Sequence, residues 1–266
     1  MIAETFAAPG FQTPLIVESP RDCYFYHTMD LPQFGLQAGP WDLRNDVDNY
    51  LGHQSFQGKT VVDVGTASGF LCFEMEKKGA DVIAFDRVLT DSTDDAGLIP
   101  FYNYAARFGT TIEQTIQARL EGQQKLQRSF WLSHRLLGSK ARLYCGNAYA
   151  APSDIGQVDY CFFGCILLHL RDPLLALSTF AGLTREKIII TDNFEDIGAQ
   201  SEAPVMFLRA TNHNPGNPGT WWYITPALLK QYLEILGFSK FALTFHHARS
   251  VQGDRDAKMY TLVAER

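Results

Sequence analysis

The stretch Asp63-Val-Gly65-Thr66-Ala67-Ser-Gly69 sets a carboxylate two residues ahead of one glycine and closes on a second. Glycines in such a stretch let the chain turn sharply and let backbone N–H groups approach a ligand with no side chain in the way. A second carboxylate, Asp86, followed by Arg87, stands about twenty positions further on, the separation expected of an acid that binds a ribose diol. Residues of these types at this spacing can hold a nucleoside across strand ends. A dinucleotide site wants GxGxxG, so that pyrophosphate rests on a helix N-terminus, whereas the spacing here is GxAxG. A dinucleotide-binding oxidoreductase is therefore the contrary reading from another class.

Further residues could act on a second molecule. His169, with a side-chain pKa near neutrality, suits a general base, or it is a structural histidine beside a helix that begins near Asp172. Arg44 could grip a carboxylate or phosphate with both arms of its guanidinium, or pair with nearby Asp42 on the surface. Tyr24, Tyr26, His27 and Trp41 surround it in sequence as substrate-binding candidates. Asp192 and Glu195 follow an apolar run and would stand on the rim where strands end, with Trp222 as a pocket wall or as packing under a loop.

The elements that must position these groups follow a strand, turn, helix, strand order from Lys59 onward, the pattern of a parallel sheet covered by helices. Thr60–Gly65 reads as the first strand, Phe70–Lys78 as a helix ended by Gly79, and Asp81–Asp86 as the second strand. Leu98–Gly138 has its own helical period, with Ile112, Ile116 and Leu120 four apart and Leu126, Phe130, Trp131 and Leu137 continuing the stripe, which predicts a helical insertion over the sheet. Ala141–Cys145, Val158–Gly164 and Lys187–Thr191 read as strands buried on both faces. Thr225 caps a helix over Pro226–Leu236 that Gly237 ends, and Phe241–Phe245 with Met259–Val263 closes the sheet. Residues 1–57, rich in aromatics, proline and glycine, read as an N-terminal cap on a single domain spanning 58–266.

The chain has 266 residues and a formal charge of −6, enough for one sizeable core and a poor balance for neutralising phosphates. Its five cysteines are an odd number without a CxxC pair, which predicts no metal site. No apolar run is long enough to span a membrane, and Met1–Gly10 carries Glu4 and no basic cluster, so a cytoplasmic protein is expected.

With its acidic residue before GxAxG and its second strand ending in an acid, the chain resembles the class I S-adenosylmethionine-dependent methyltransferases. Leu168-His-Leu-Arg-Asp-Pro173, Trp221–Lys230 and Leu236-Gly-Phe238 are similar to a narrower group, the tRNA wobble-uridine methyltransferases and their small-molecule relatives. The resemblance runs from about Lys59 to the end. It implies a Rossmann-like α/β fold with a seven-stranded, mainly parallel sheet, helices on both faces and an antiparallel final strand. It implies S-adenosylmethionine as cofactor, held by Asp63, Gly65, Thr66, Ala67, Gly69, Phe70, Asp86 and Arg87, by Asn147 and Ala148 at adenine, and by Phe163 and Gly164 along the pocket. The aromatic-rich cap and the absent basic stripe favour a small polar acceptor, methylated on oxygen or nitrogen, over a tRNA; a carboxylated cofactor on tRNA and a non-catalytic nucleoside-binding scaffold are the other readings.

Overall fold

A computed structural model of the chain describes residues 9–88, 109–150, 152–209 and 220–266, and every structural statement refers to these. The N-terminal region contributes β1 (Gly10–Phe11), β2 (Met29–Leu31), β3 (Gly35–Gln37), β4 (Trp41–Asp42) and the short α1 (Val47–Tyr50). Then come β5 (Thr60–Val64), α2 (Phe70–Lys77), β6 (Asp81–Arg87), α3 (Ile112–Leu137), β7 (Arg142–Gly146), β8 (Val158–Gly164), α4 (Pro173–Ala181) and β9 (Thr184–Asn193). β10 (Met206–Leu208), β11 (Trp222–Ile224), α5 (Pro226–Ile235), β12 (Lys240–Ser250) and β13 (Arg255–Glu265) complete the described elements.

Period-two alternation explains why helices cover both faces of the main sheet. In β8, Tyr160 and Phe162 enter one core, shared with α2, α3 and the N-terminal region, while Cys161 and Phe163 enter the other, under α4 and α5. β9 divides the same way, Ile189 against the first core and Ile188 and Ile190 against the second. Each such side chain, removed wholly from water, contributes about 1.5–3 kcal/mol.

The sheet has nine strands in the order β1-β7-β6-β5-β8-β9-β13-β12-β4, not seven. The inner seven are the expected ones; β5 pairs parallel with β6 and β8, and β13 is antiparallel to both β9 and β12. The two additional strands come from the N-terminal region: β1 pairs with β7 at one edge, and β4 with Arg249 and Ser250 of β12 at the other. β2 and β3 form a separate hairpin, and β10 pairs with β11.

The insertion is one continuous helix over its described part. Thr111 and Gln114 form a reciprocal capping box at its start, and Gly138 in the left-handed region ends it; residues 98–108 of the predicted insertion lie outside the described residues. Thr225 caps α5 by accepting the Leu228 N–H, with Pro226 in the first turn, as its sequence predicts. β12 and β13 run eleven residues each, well beyond their predicted apolar centres, because their full lengths pair as one antiparallel ladder.

Candidate functional site

β5 and α2 meet at a loop whose geometry depends on small residues. Gly65 has φ +82° and Gly69 φ +87°; a Cβ on Gly65 would stand 2.7 Å from Ile166, and one on Gly69 2.6 Å from Phe73. Ala67 adopts φ +51°, so a residue with a Cβ occupies a left-handed position between them. The N–H groups of Gly65 and Thr66 both donate to the Phe85 carbonyl, and that of Ala67 donates to Asp86 Oδ2 at 3.0 Å. Asp86 Oδ1 accepts the Arg87 N–H at 2.8 Å, and burial raises the carboxyl's pKa. The half-buried acid at the end of β6 therefore pins the loop at the end of β5.

Asp63 enters the space below this loop with 2% of its surface exposed. Burial pushes its carboxyl up to about 7; the neighbouring Thr66 hydroxyl opposes the shift and the Asp86 charge adds to it. Asp63 Oδ2 and Thr66 Oγ1 are buried without a hydrogen bond of regular geometry. Buried carboxylate oxygens normally have donors, and this one has none of regular geometry.

The N-terminal region closes on the loop. Ser68 is fully buried, and its hydroxyl accepts from the N–H groups of Tyr26 at 3.2 Å and His27 at 3.4 Å. The backbone of Phe25–His27 passes so close to Gly39 that a Cβ there would stand 2.6 Å from the His27 carbonyl carbon. His27 packs between Tyr26 and Phe70, and burial drives its pKa down to about 3, so it is neutral at physiological pH. Tyr26, its phenol raised to about 12 by burial, borders the same space; Trp41 is half-buried in β4 and accepts the Thr28 N–H on its carbonyl. Tyr24 is exposed, and its backbone is bound to Lys125 and Ser129 of α3.

On the opposite rim, Cys165 follows β8 with φ +49° and donates its N–H to the Thr191 carbonyl. Tyr50 donates its hydroxyl to Cys165 Sγ at 3.2 Å. Asp192, 5% exposed, ends β9 beside it; burial pushes its carboxyl up to about 7 and the Asn193 N–H holds it back. Below them runs a buried chain that sequence inspection does not reveal: Asp46 Oδ2 lies 2.5 Å from His246 Nδ1, His246 Nε2 3.0 Å from Thr261 Oγ1, and Thr261 Oγ1 2.8 Å from Thr191 Oγ1. The period-two burial of His246, Ala248 and Ser250 in β12 carries its only sequence signal.

Several predicted site residues have other partners. Arg44 is paired: Asp42 binds it through both carboxylate oxygens, at 2.9 and 2.8 Å, and Asp30 at 2.7 Å, which engages three of its five N–H donors. Glu195 pairs with Arg209 on the exposed rim. Trp222 donates its indole N–H to the Arg171 carbonyl at 3.1 Å, and Asp172 caps α4 through the Leu175 N–H, so the Leu168–Pro173 segment joins β8, α4 and β11. His169 is half-buried in the 3-10 turn Leu167–His169 of that segment. The Phe163 ring is fully buried against Phe180 in the second core. Asn147 is exposed and its Oδ1 closes its own turn on the Tyr149 N–H, while Ala148 packs on the second core. Gly164 passes close to Phe162 and Tyr50. The turn-rich stretch 210–219 before Trp221 lies outside the described residues, among which no group of His, Cys, Asp and Glu could hold a metal ion and no helix is long and apolar enough to cross a membrane.

No protein-family profile and no curated protein sequence matches the chain. Solved structures share its architecture. EvdMO1 is 13% identical with a TM-score of 0.50, the match covering 89% of this chain and 43% of that one. The chain has the α/β fold of that structure. The 1,6-didemethyltoxoflavin-N1-methyltransferase of Burkholderia thailandensis, solved with 1,6-didemethyltoxoflavin and S-adenosylhomocysteine, is 13% identical over 84% of this chain and 77% of its own, with a TM-score of 0.48. The magnesium protoporphyrin IX methyltransferase of Synechocystis, solved with bound S-adenosylmethionine, is 16% identical over 83% and 76%, with a TM-score of 0.44.

Proposed function

We propose that this chain is an S-adenosylmethionine-dependent methyltransferase that moves a methyl group to an oxygen or nitrogen of a small polar metabolite. The observation that carries the reading is the unpartnered, buried Oδ2 of Asp63 beneath a left-handed loop that Asp86 holds in place. The residues fit a nucleoside that carries positive charge: Asp63 can receive a cationic group, the glycine loop offers backbone without side chains, and Asp86 with Arg87 stands at the ribose position. When bound, S-adenosylmethionine supplies a methyl group already activated on a sulfonium. The chain's own work is then to orient the acceptor, exclude water and take up a proton. Tyr26 and His27, fixed to Ser68, close one side of that space.

A tRNA acceptor, the reading of the narrower resemblance, has the net charge of −6 against it. Calorimetric titration with S-adenosylhomocysteine tests the proposal. The wild-type protein is expected to bind, and Asp86→Ala to weaken binding by about tenfold or more. Unchanged binding in Asp86→Ala removes the ribose assignment, and a wild-type protein that ignores the ligand removes the function.

A further inference from the structure

Asp192 is a buried acid for which cofactor binding has no use. Its Oδ1 accepts the Asn193 N–H at 2.7 Å; among the described residues its other oxygen accepts nothing and no cation pairs with it. Buried carboxylates are normally paired, and one left open at the end of a strand in this architecture faces the place where ligands bind.

Its surroundings define a continuous rim. Cys165 stands next to it across the ends of β8 and β9, since the Cys165 N–H binds the Thr191 carbonyl. Tyr50 donates to that thiol; burial foremost, with the Asp192 charge adding to it, raises the Cys165, Tyr50, Tyr223 and Tyr260 side chains. On the other side, the Tyr26 N–H is tied to Ser68 of the glycine loop. None of these groups is cationic. The basic side chains around the rim are engaged elsewhere: Arg44 by Asp30 and Asp42, Arg209 by Glu195, and Lys258 over the Phe194 ring at 4.5 Å. His27 is neutral.

We propose that the acceptor is an amine or hydroxyl compound without negative charge, and that its N–H or O–H donates to the Asp192 carboxylate, which takes the proton as the methyl arrives. This rests on the methyltransferase reading. The acceptor's bond to hydrogen breaks and its proton passes to a carboxylate oxygen of Asp192. The acceptor's electron pair forms the new bond to carbon, and the carbon–sulfur pair stays with the neutral thioether. A carboxylate or phosphate acceptor would meet the like charge of Asp192, which is discrimination by repulsion. The raised affinity of Asp192 for a proton, from burial, matches a base working near neutrality.

The test uses protein first saturated with S-adenosylhomocysteine and then titrated calorimetrically with tyramine or with 4-hydroxyphenylacetate, phenols of similar size that end in an ammonium and a carboxylate. Tyramine is expected to bind at least about tenfold more tightly. Asp192→Asn, nearly identical in shape, is expected to bring the two within about threefold while still binding S-adenosylhomocysteine, which also reports that it folds. Equal or tighter binding of the acid, no binding of either phenol, or a preference that survives in Asp192→Asn overturns the inference. The first titration separates this from the parent reading: if wild-type protein takes up no S-adenosylhomocysteine, the methyltransferase reading itself has failed before either phenol is added.

Discussion

The hydroxyl of Ser68 stands 3.2 Å from the Tyr26 nitrogen and accepts its N–H, so the glycine loop and the N-terminal region are joined by a direct hydrogen bond. The His27 N–H shares that oxygen. Ser68→Ala leaves both donors buried and unpaired, at about 1–3 kcal/mol each. Amide exchange over residues 24–28 should then quicken by about tenfold or more, with exchange in β5 and β8 unchanged. Equal protection in the variant would mean that this contact does not hold the segment down.

Loop substitutions should divide by backbone conformation. Ala67 sits at φ +51°, a conformation costing a residue with a Cβ roughly 1 kcal/mol, so Ala67→Gly should hold or raise the melting temperature by about 2 °C. Gly69→Ala adds that strain to a collision with Phe73 and Phe130 and should lower stability by about 2 kcal/mol or more. A destabilised Ala67→Gly would contradict the left-handed loop.

Proton linkage should report on Asp63. Burial raises its folded pKa to about 7, against 3.8 for an ordinary aspartate, so between these limits the native state holds a proton that the unfolded chain has released. Stability contributed by this group is therefore present at low pH and falls as pH rises through the window. A ligand that brings an ammonium favours the ionised carboxylate, so binding S-adenosylhomocysteine near pH 6 should release up to about one proton and tighten as pH rises to about 8. Calorimetry in two buffers of different ionisation enthalpy measures the release, and Asp63→Asn should abolish it. Proton uptake would reverse the assignment.

Arg44→Ala should leave S-adenosylhomocysteine affinity unchanged and cost less than about 1 kcal/mol, because its partners Asp30 and Asp42 form a solvent-exposed cluster. Loss of ligand binding would show that the guanidinium reaches the site after all. Denaturant titration and calorimetry on one preparation check both quantities.

Residues that carry local structural signals were legible in sequence. β5, the glycine loop, α2 and β6 lie within one or two residues of their predicted limits, since an apolar run, left-handed glycines and an amphipathic period all act over short distances. β1 and β4 have two residues each, too few to show a period, and exist because distant β7 and β12 offer free edges. The face that the Phe163 ring takes is hidden for a related reason: strand residues alternate between faces, and only packing on Phe180 reveals which one it enters. The double occupancy of Arg44 needs Asp30, fourteen positions away and brought close by the β2–β3 hairpin. The Asp46–His246–Thr261 chain joins residues with no sequence relationship at all.

The N-terminal region reaches both edges of the sheet, and this orders the protein's birth on the ribosome. Asp46 meets His246 two hundred positions later, and Asn49 receives Thr261 at a separation of 212. Asp46 and Asn49 are made long before the histidine and the strand residue that bind them. Contacts of such long range form slowly, because the loop-closure entropy comes before any compensating burial. Asp46 and Asn49 must therefore wait for these partners while the parallel strands assemble, a period in which chaperone capture is to be expected. The segment around α1 is thus made well before its last anchors.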